Sequence, residues 1–100
     1  MDDLEGIFVD PKHGHCLRRI GRGETPSTYV LFGAYGDDEP PHQPGSPWEA
    51  TVHRDGKFLT VDFHSKSIAH ARVYAALWCP AVRELHWEDG NVWKKVYFPR

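Results

Sequence analysis

The densest chemistry in this chain lies in "DPKHGHC", residues 10–16, where His13, His15 and Cys16 bring two imidazoles and a thiol close together. These are zinc and copper ligand types. On an extended strand, His13 and His15 point the same way, as a chelating pair must. The further ligands a closed site needs are not evident, and neither CxxC nor HExxH spacing occurs. The competing reading is a solvent-exposed turn with Cys16 opening a strand. No metal is favoured on this pattern, and no cofactor is expected.

Nucleophilic chemistry has two candidates, Cys16 and Cys79. Either could form a thiolate–imidazolium pair with a histidine brought near it by folding. Cys79 precedes Pro80 at an expected strand end. Asp62, Glu84, Glu88 and Asp89 are candidate carboxylates. None of these stands at a recognisable spacing, and there is no GxSxG, P-loop or dinucleotide fingerprint. His42, His53, His64, His70 and His86 are scattered, and strand alternation sets His53 and His86 on solvent faces.

The tryptophans are the stronger lead. Trp48 and Trp87 fall on the more apolar face of their segments and read as core. Trp78 shares a face with Arg72 and Tyr74, and Trp93 shares one with Lys95 and Tyr97. Arg72, Tyr74, Trp78, Trp93, Lys95 and Tyr97 are therefore expected on the more polar side. A contiguous aromatic patch there would mark a ligand or partner site, with the cations adding charge or cation–π contacts. If the sheet closes, the same aromatics fill a barrel mouth. The competing reading is amphipathic packing beneath a loop.

The elements that must position these residues read as strands. "GIFVD" (6–10), "CLRRI" (16–20), "STYVLFGAY" (27–35), "WEATVHR" (48–54), "KFLTVDF" (57–63), "ARVYAALW" (71–78), "RELHW" (83–87) and "VWKKVYF" (92–98) are short apolar or alternating runs. Period-two alternation is the pattern of half-buried strands. Asp55-Gly56 and Asp89-Gly90 sit between runs and read as tight hairpins, because glycine accepts positive φ. The Pro-rich stretch 36–47 cannot pack apolar surface and is expected to be a mobile loop. "SKSIAHARVYAALW" (65–78) also carries a helical stripe, and a serine could cap it.

The expected fold is all-β: a single domain over 1–100, an antiparallel meander of seven or eight strands curled into a barrel or a two-layer sheet. Closure or layering protects the edges of such a meander. The alternative is α+β, with a helix near 65–76.

Totals narrow the function classes. The chain has 100 residues and a net charge of −2, which disfavours nucleic acid, a partner that selects a basic face. Its N-terminus has neither the basic nor the apolar region of a signal peptide, and no run approaches the ~18 apolar residues of a membrane helix. The sequence thus predicts a cytoplasmic domain without membrane contact and with both cysteines as free thiols. The expected function is a non-catalytic binding or protein-interaction domain. It would use an aromatic-lined face or barrel mouth for a protein or small-molecule ligand, with a homodimer as the simplest version. The alternative is a small metal- or thiol-dependent enzyme using His13, His15 and Cys16, or Cys79.

Overall fold

The computed structural model describes residues 3–13, 17–34, 47–63 and 73–96. They form eight strands: β1 (Gly6–Val9), β2 (Leu17–Arg22), β3 (Thr28–Ala34), β4 (Pro47–Asp55), β5 (Phe58–Asp62), β6 (Val73–Cys79), β7 (Glu84–Trp87) and β8 (Val92–Lys95). Each pairs antiparallel with the next, and β8 returns to β1, so the meander closes into a barrel. Among the described residues, closure leaves no edge strand open to pairing with another chain. Among the described residues there is no α-helix. Residues 65–72 lie outside them, while 73–76 are extended within β6. The expected loop at 36–47 also lies outside, except Pro47, which opens β4.

Side-chain parity runs unbroken around the sheet. Leu31 pairs with Ala50, Val52 with Val61, Leu59 with Ala76, Trp78 with Leu85, and Leu85 with Trp93. All of these are buried. Because side chains alternate with a period of two, one inward residue in each strand fixes the rest. Leu59, Val61 and Phe63 accordingly point in as the alternation predicts, while Phe58 is 70% exposed.

In two strands the expected faces are exchanged. Alternation alone set Trp78 and Trp93 on the wetter side, but both are buried in the barrel, whereas Val73 and Leu77 of β6 face solvent. The reason is geometric. An eight-stranded barrel has one narrow interior, wide enough for side chains or one small ligand. The large rings at 78 and 93 fill it. Ala75, Leu77 and Val73 are too small or too few to do so, although their strand face looks more apolar on paper.

Turn chemistry explains the tight connections. Gly56 is the first of two residues between the paired Asp55 and Phe58 and has φ +63°, the glycine position of a type II′ hairpin. Gly90 has φ +91° and closes a three-residue loop, with Gly90 N–H donating to the Trp87 carbonyl and Trp87 N–H to that of Asn91.

The meander places its connections at two ends. One end carries the 23–27, 56–57 and 80–83 turns. The other holds the 88–91 turn, the ends of β1, β3 and β5 and the starts of β2, β4 and β6. The N-terminal turn seals the first end. Leu4 is fully buried, and Asp3 accepts Trp78 Nε1–H at 2.8 Å and Arg54 Nη1–H at 3.2 Å, while Lys95 Nζ donates to the Asp3 carbonyl at 2.8 Å.

Candidate ligand site at the arginine end of the barrel

The other end is built around a buried ion pair. Arg18 points inward because it shares parity with Ile20 on β2, and Asp10 does so because it shares parity with Phe8 at the end of β1. They are 1% and 2% exposed, with Arg18 Nη2 3.5 Å from Asp10 Oδ2. Asp10 Oδ1 also accepts Asn91 Nδ2 at 2.9 Å and the Lys12 backbone N–H at 3.0 Å. A charge this deep is tolerable only when paired and hydrogen-bonded, and here the carboxylate has donors from three directions.

Aromatic rings surround the guanidinium. Its Cζ lies 5.1 Å from the Trp48 ring centroid and 5.7 Å from that of Trp93. Trp93 packs on Trp87 at 4.7 Å, Trp87 on Phe63 at 5.9 Å, and Phe63 contacts Trp48 and Tyr74 edge-on at 5.6 and 5.7 Å. Gly33 makes room for this arrangement: a Cβ there would stand 2.4 Å from Trp48 Cζ2. The indole therefore rests directly on the β3 backbone, and only glycine permits that approach.

Two features distinguish this end from the rest of the core. The indole N–H groups of Trp87 and Trp93 are buried and have no acceptor among the described residues. Buried donors are nearly always satisfied, by protein or by water. In addition, Trp48, Phe63, Trp87 and Trp93 keep 5–9% of their surface exposed, whereas Phe8 and Leu85 keep none and Trp78 keeps 1%. The cluster reaches the rim, and the opposite half of the core does not.

The site residues expected from sequence divide between the two ends. Trp93 lies in the arginine-end cluster, and half-buried Tyr74 touches it through Phe63. Trp78 and Lys95 belong to the sealed end, where both bond Asp3. Arg72 and Tyr97 lie outside the described residues. The open aromatic surface expected from Trp78 and Trp93 is thus corrected: the barrel takes both indoles inside. Arg18, Asp10 and Asn91 escaped the sequence reading. For Arg18, the only available signal was its i, i+2 relation to Ile20. The pairing of Arg18 with Asp10 and Asn91 depends on strand register and ring closure, which no local pattern carries.

The catalytic candidates fare differently. His13 lies in a short 3₁₀ turn, Pro11–His13, and not on a strand, so the expected chelate geometry with His15 loses its basis. His15 and Cys16 are outside the described residues. Among the described residues, no three His, Cys, Asp or Glu side chains gather as a metal site would require. Cys79 is a half-buried free thiol, with Sγ 3.9 Å from the Leu77 carbonyl. His86 pairs with Glu84 at 2.9 Å on the outer wall. His53 is exposed, as expected.

Fold and site together define a small up-and-down β-barrel whose interior holds an arginine among aromatic rings at one end. Comparison with protein-family models, with curated proteins and with solved structures returns no match.

Proposed function

We propose that this domain is a non-catalytic binding protein that takes a small molecule at the arginine end of its barrel. One observation carries the reading. Arg18 is held by Asp10 and by the indoles of Trp48 and Trp93, and the N–H groups of Trp93 and of its neighbour Trp87 have no acceptor among the described residues. Apolar walls with a few convergent polar groups are the usual make-up of a small-molecule site. Eight-stranded barrels are either filled by side chains or hold one small ligand, and here a ligand would enter at the rim, among Trp48, Phe63, Trp87 and Trp93. No helix among the described residues is long and apolar enough to cross a membrane.

Thermal unfolding of the full chain against a set of flat aromatic fragments tests this reading. A ligand that binds only the folded barrel raises its midpoint by mass action. The rise should shrink in Trp93→Phe and persist in Phe58→Ser, which alters only the outer wall. If no flat fragment at millimolar concentration raises the midpoint, the proposal is refuted.

A protein partner or a second copy would use that outer wall instead. Exposed Phe58 and Leu77 face each other there across β5 and β6. Sedimentation velocity over a dilution series, with Phe58→Ser as the control, separates this reading from the first. Metal content of untagged protein tests the alternative of a metal enzyme.

A further inference from the structure

Resting on the binding reading, we propose that the ligand is a flat molecule presenting an oxygen acceptor, a carboxylate or a carbonyl, to the indole N–H groups of Trp87 and Trp93. The polar groups that the fold leaves for a ligand at this end are donors. Trp87 Nε1 and Trp93 Nε1 are buried without an acceptor among the described residues. An indole N–H can only donate.

The two side-chain acceptors beside Arg18, Asp10 and Asn91, are already engaged. Asp10 binds Arg18, Asn91 and the Lys12 N–H. Asn91 Oδ1 accepts the Val92 N–H at 2.9 Å. A ligand oxygen entering here would meet two unpartnered donors among the described residues. The Trp87 and Trp93 ring centroids lie 4.7 Å apart, so the two donors belong to neighbouring indoles.

The rest of the cluster sets shape and charge. Trp48, Phe63, Trp87 and Trp93 offer ring faces and edges, which suit a planar apolar body. The guanidinium of Arg18 stands 5.7 Å from the Trp93 ring and disfavours a cation in the same space. The sealed end offers a contrast within the same molecule. There the Trp78 indole has its acceptor, Asp3, supplied by the chain itself. The arginine end has the same kind of donor and, among the described residues, no equivalent of Asp3.

The test is a ¹⁵N–¹H correlation spectrum of the full chain, read at the four indole N–H resonances, with each assigned by a single Trp→Phe variant. Four probes of similar size are titrated separately: benzoate, benzamide, benzylamine and toluene. Benzoate and benzamide should shift the Trp87 and Trp93 resonances, and their relative strength tells carboxylate from carbonyl. The Trp78 resonance should stay in place as the internal reference. Removing one donor by Trp87→Phe should weaken benzoate by about tenfold and leave toluene unchanged.

If benzylamine or toluene shifts Trp87 and Trp93 as much as benzoate does, the barrel binds ligands but the acceptor rule is wrong. If no probe moves any indole resonance, both the rule and the binding reading fail. An indole-to-water cross-peak that survives saturating benzoate would show that the donors belong to internal water, and it too would overturn the proposal.

Discussion

Neutralising Asp10 while keeping its shape should destabilise the barrel strongly. Asp10→Asn preserves the size of the side chain and an oxygen for Asn91 and the Lys12 N–H to donate to. It removes the negative charge and turns the oxygen that faces Arg18 into an amide NH2 donor. Both partners are at least 98% buried, so water cannot take over the screening of the guanidinium. Breaking one side of a buried pair costs about 3–5 kcal/mol, because the remaining charge stays desolvated. A domain of this size has only about 5–15 kcal/mol in total, so the loss would be a large part of it. Urea unfolding, followed by the fluorescence of the buried tryptophans, should show the midpoint falling by about 1 M or more. The companion variant Arg18→Met keeps an apolar stem against Trp48 and Trp93 and removes the positive charge. The double variant Asp10→Asn/Arg18→Met should then be more stable than the sum of the single losses predicts, by about 0.5–3 kcal/mol. An Asp10→Asn protein within about 0.5 kcal/mol of the parent, or strictly additive single losses, would refute the reasoning. Either result would mean that water reaches the pair.

Three further outcomes follow from the same geometry. Gly33→Ala puts a methyl where Trp48 Cζ2 stands 2.4 Å away, so it should cost about 1–3 kcal/mol and change the near-ultraviolet signal of the displaced indole. Leu59→Ala should cost about 2–5 kcal/mol, while Phe58→Ala next to it should stay within about 0.5 kcal/mol; equal losses in denaturant would contradict the inward parity of β5. Asp3→Ala leaves the Trp78 indole N–H without its carboxylate, so thermal unfolding should show a loss of about 1–3 kcal/mol, and the Trp78 indole resonance should move alone.

Much of the fold was legible in the sequence because strands announce themselves locally. The alternation in "WEATVHR" and "KFLTVDF" correctly turned Val52, Leu59 and Val61 inward and His53 outward. The Asp-Gly pairs marked two hairpins because positive φ is a local demand, and glycine meets it at positions 56 and 90. A meander with short turns also implied an antiparallel sheet that must curl. The reading weakened where both faces of a strand carry apolar residues. In β6, Val73, Ala75 and Leu77 compete with Tyr74, Ala76 and Trp78, and hydropathy alone backs the wrong set. The deciding quantity is the volume of the interior, which the strand itself does not know.

The candidate site was less legible. Trp87 reads as core from alternation and is buried, whereas Trp93, expected on the more polar side, packs against it inside the barrel. Arg18 carries no local mark of burial. It sits in "CLRRI" beside Arg19, and Arg19 instead reaches the Phe32 ring with its Cζ 4.5 Å away. Only register separates the two arginines, one turned to the interior and one to the wall.

By itself, then, the sequence determined the strands, the two glycine hairpins and the antiparallel order, because φ preferences and period-two alternation act between near neighbours. Tertiary structure alone decided that the meander closes, with Phe8 beside Lys95 across the last seam. It also decided which face of β6 and β8 fills the interior, and that Asp10, Arg18 and Asn91 meet there from three separate strand ends. Those outcomes depend on the volume of one shared interior and on charges that must find each other away from water. Both are properties of the closed barrel and of no single segment.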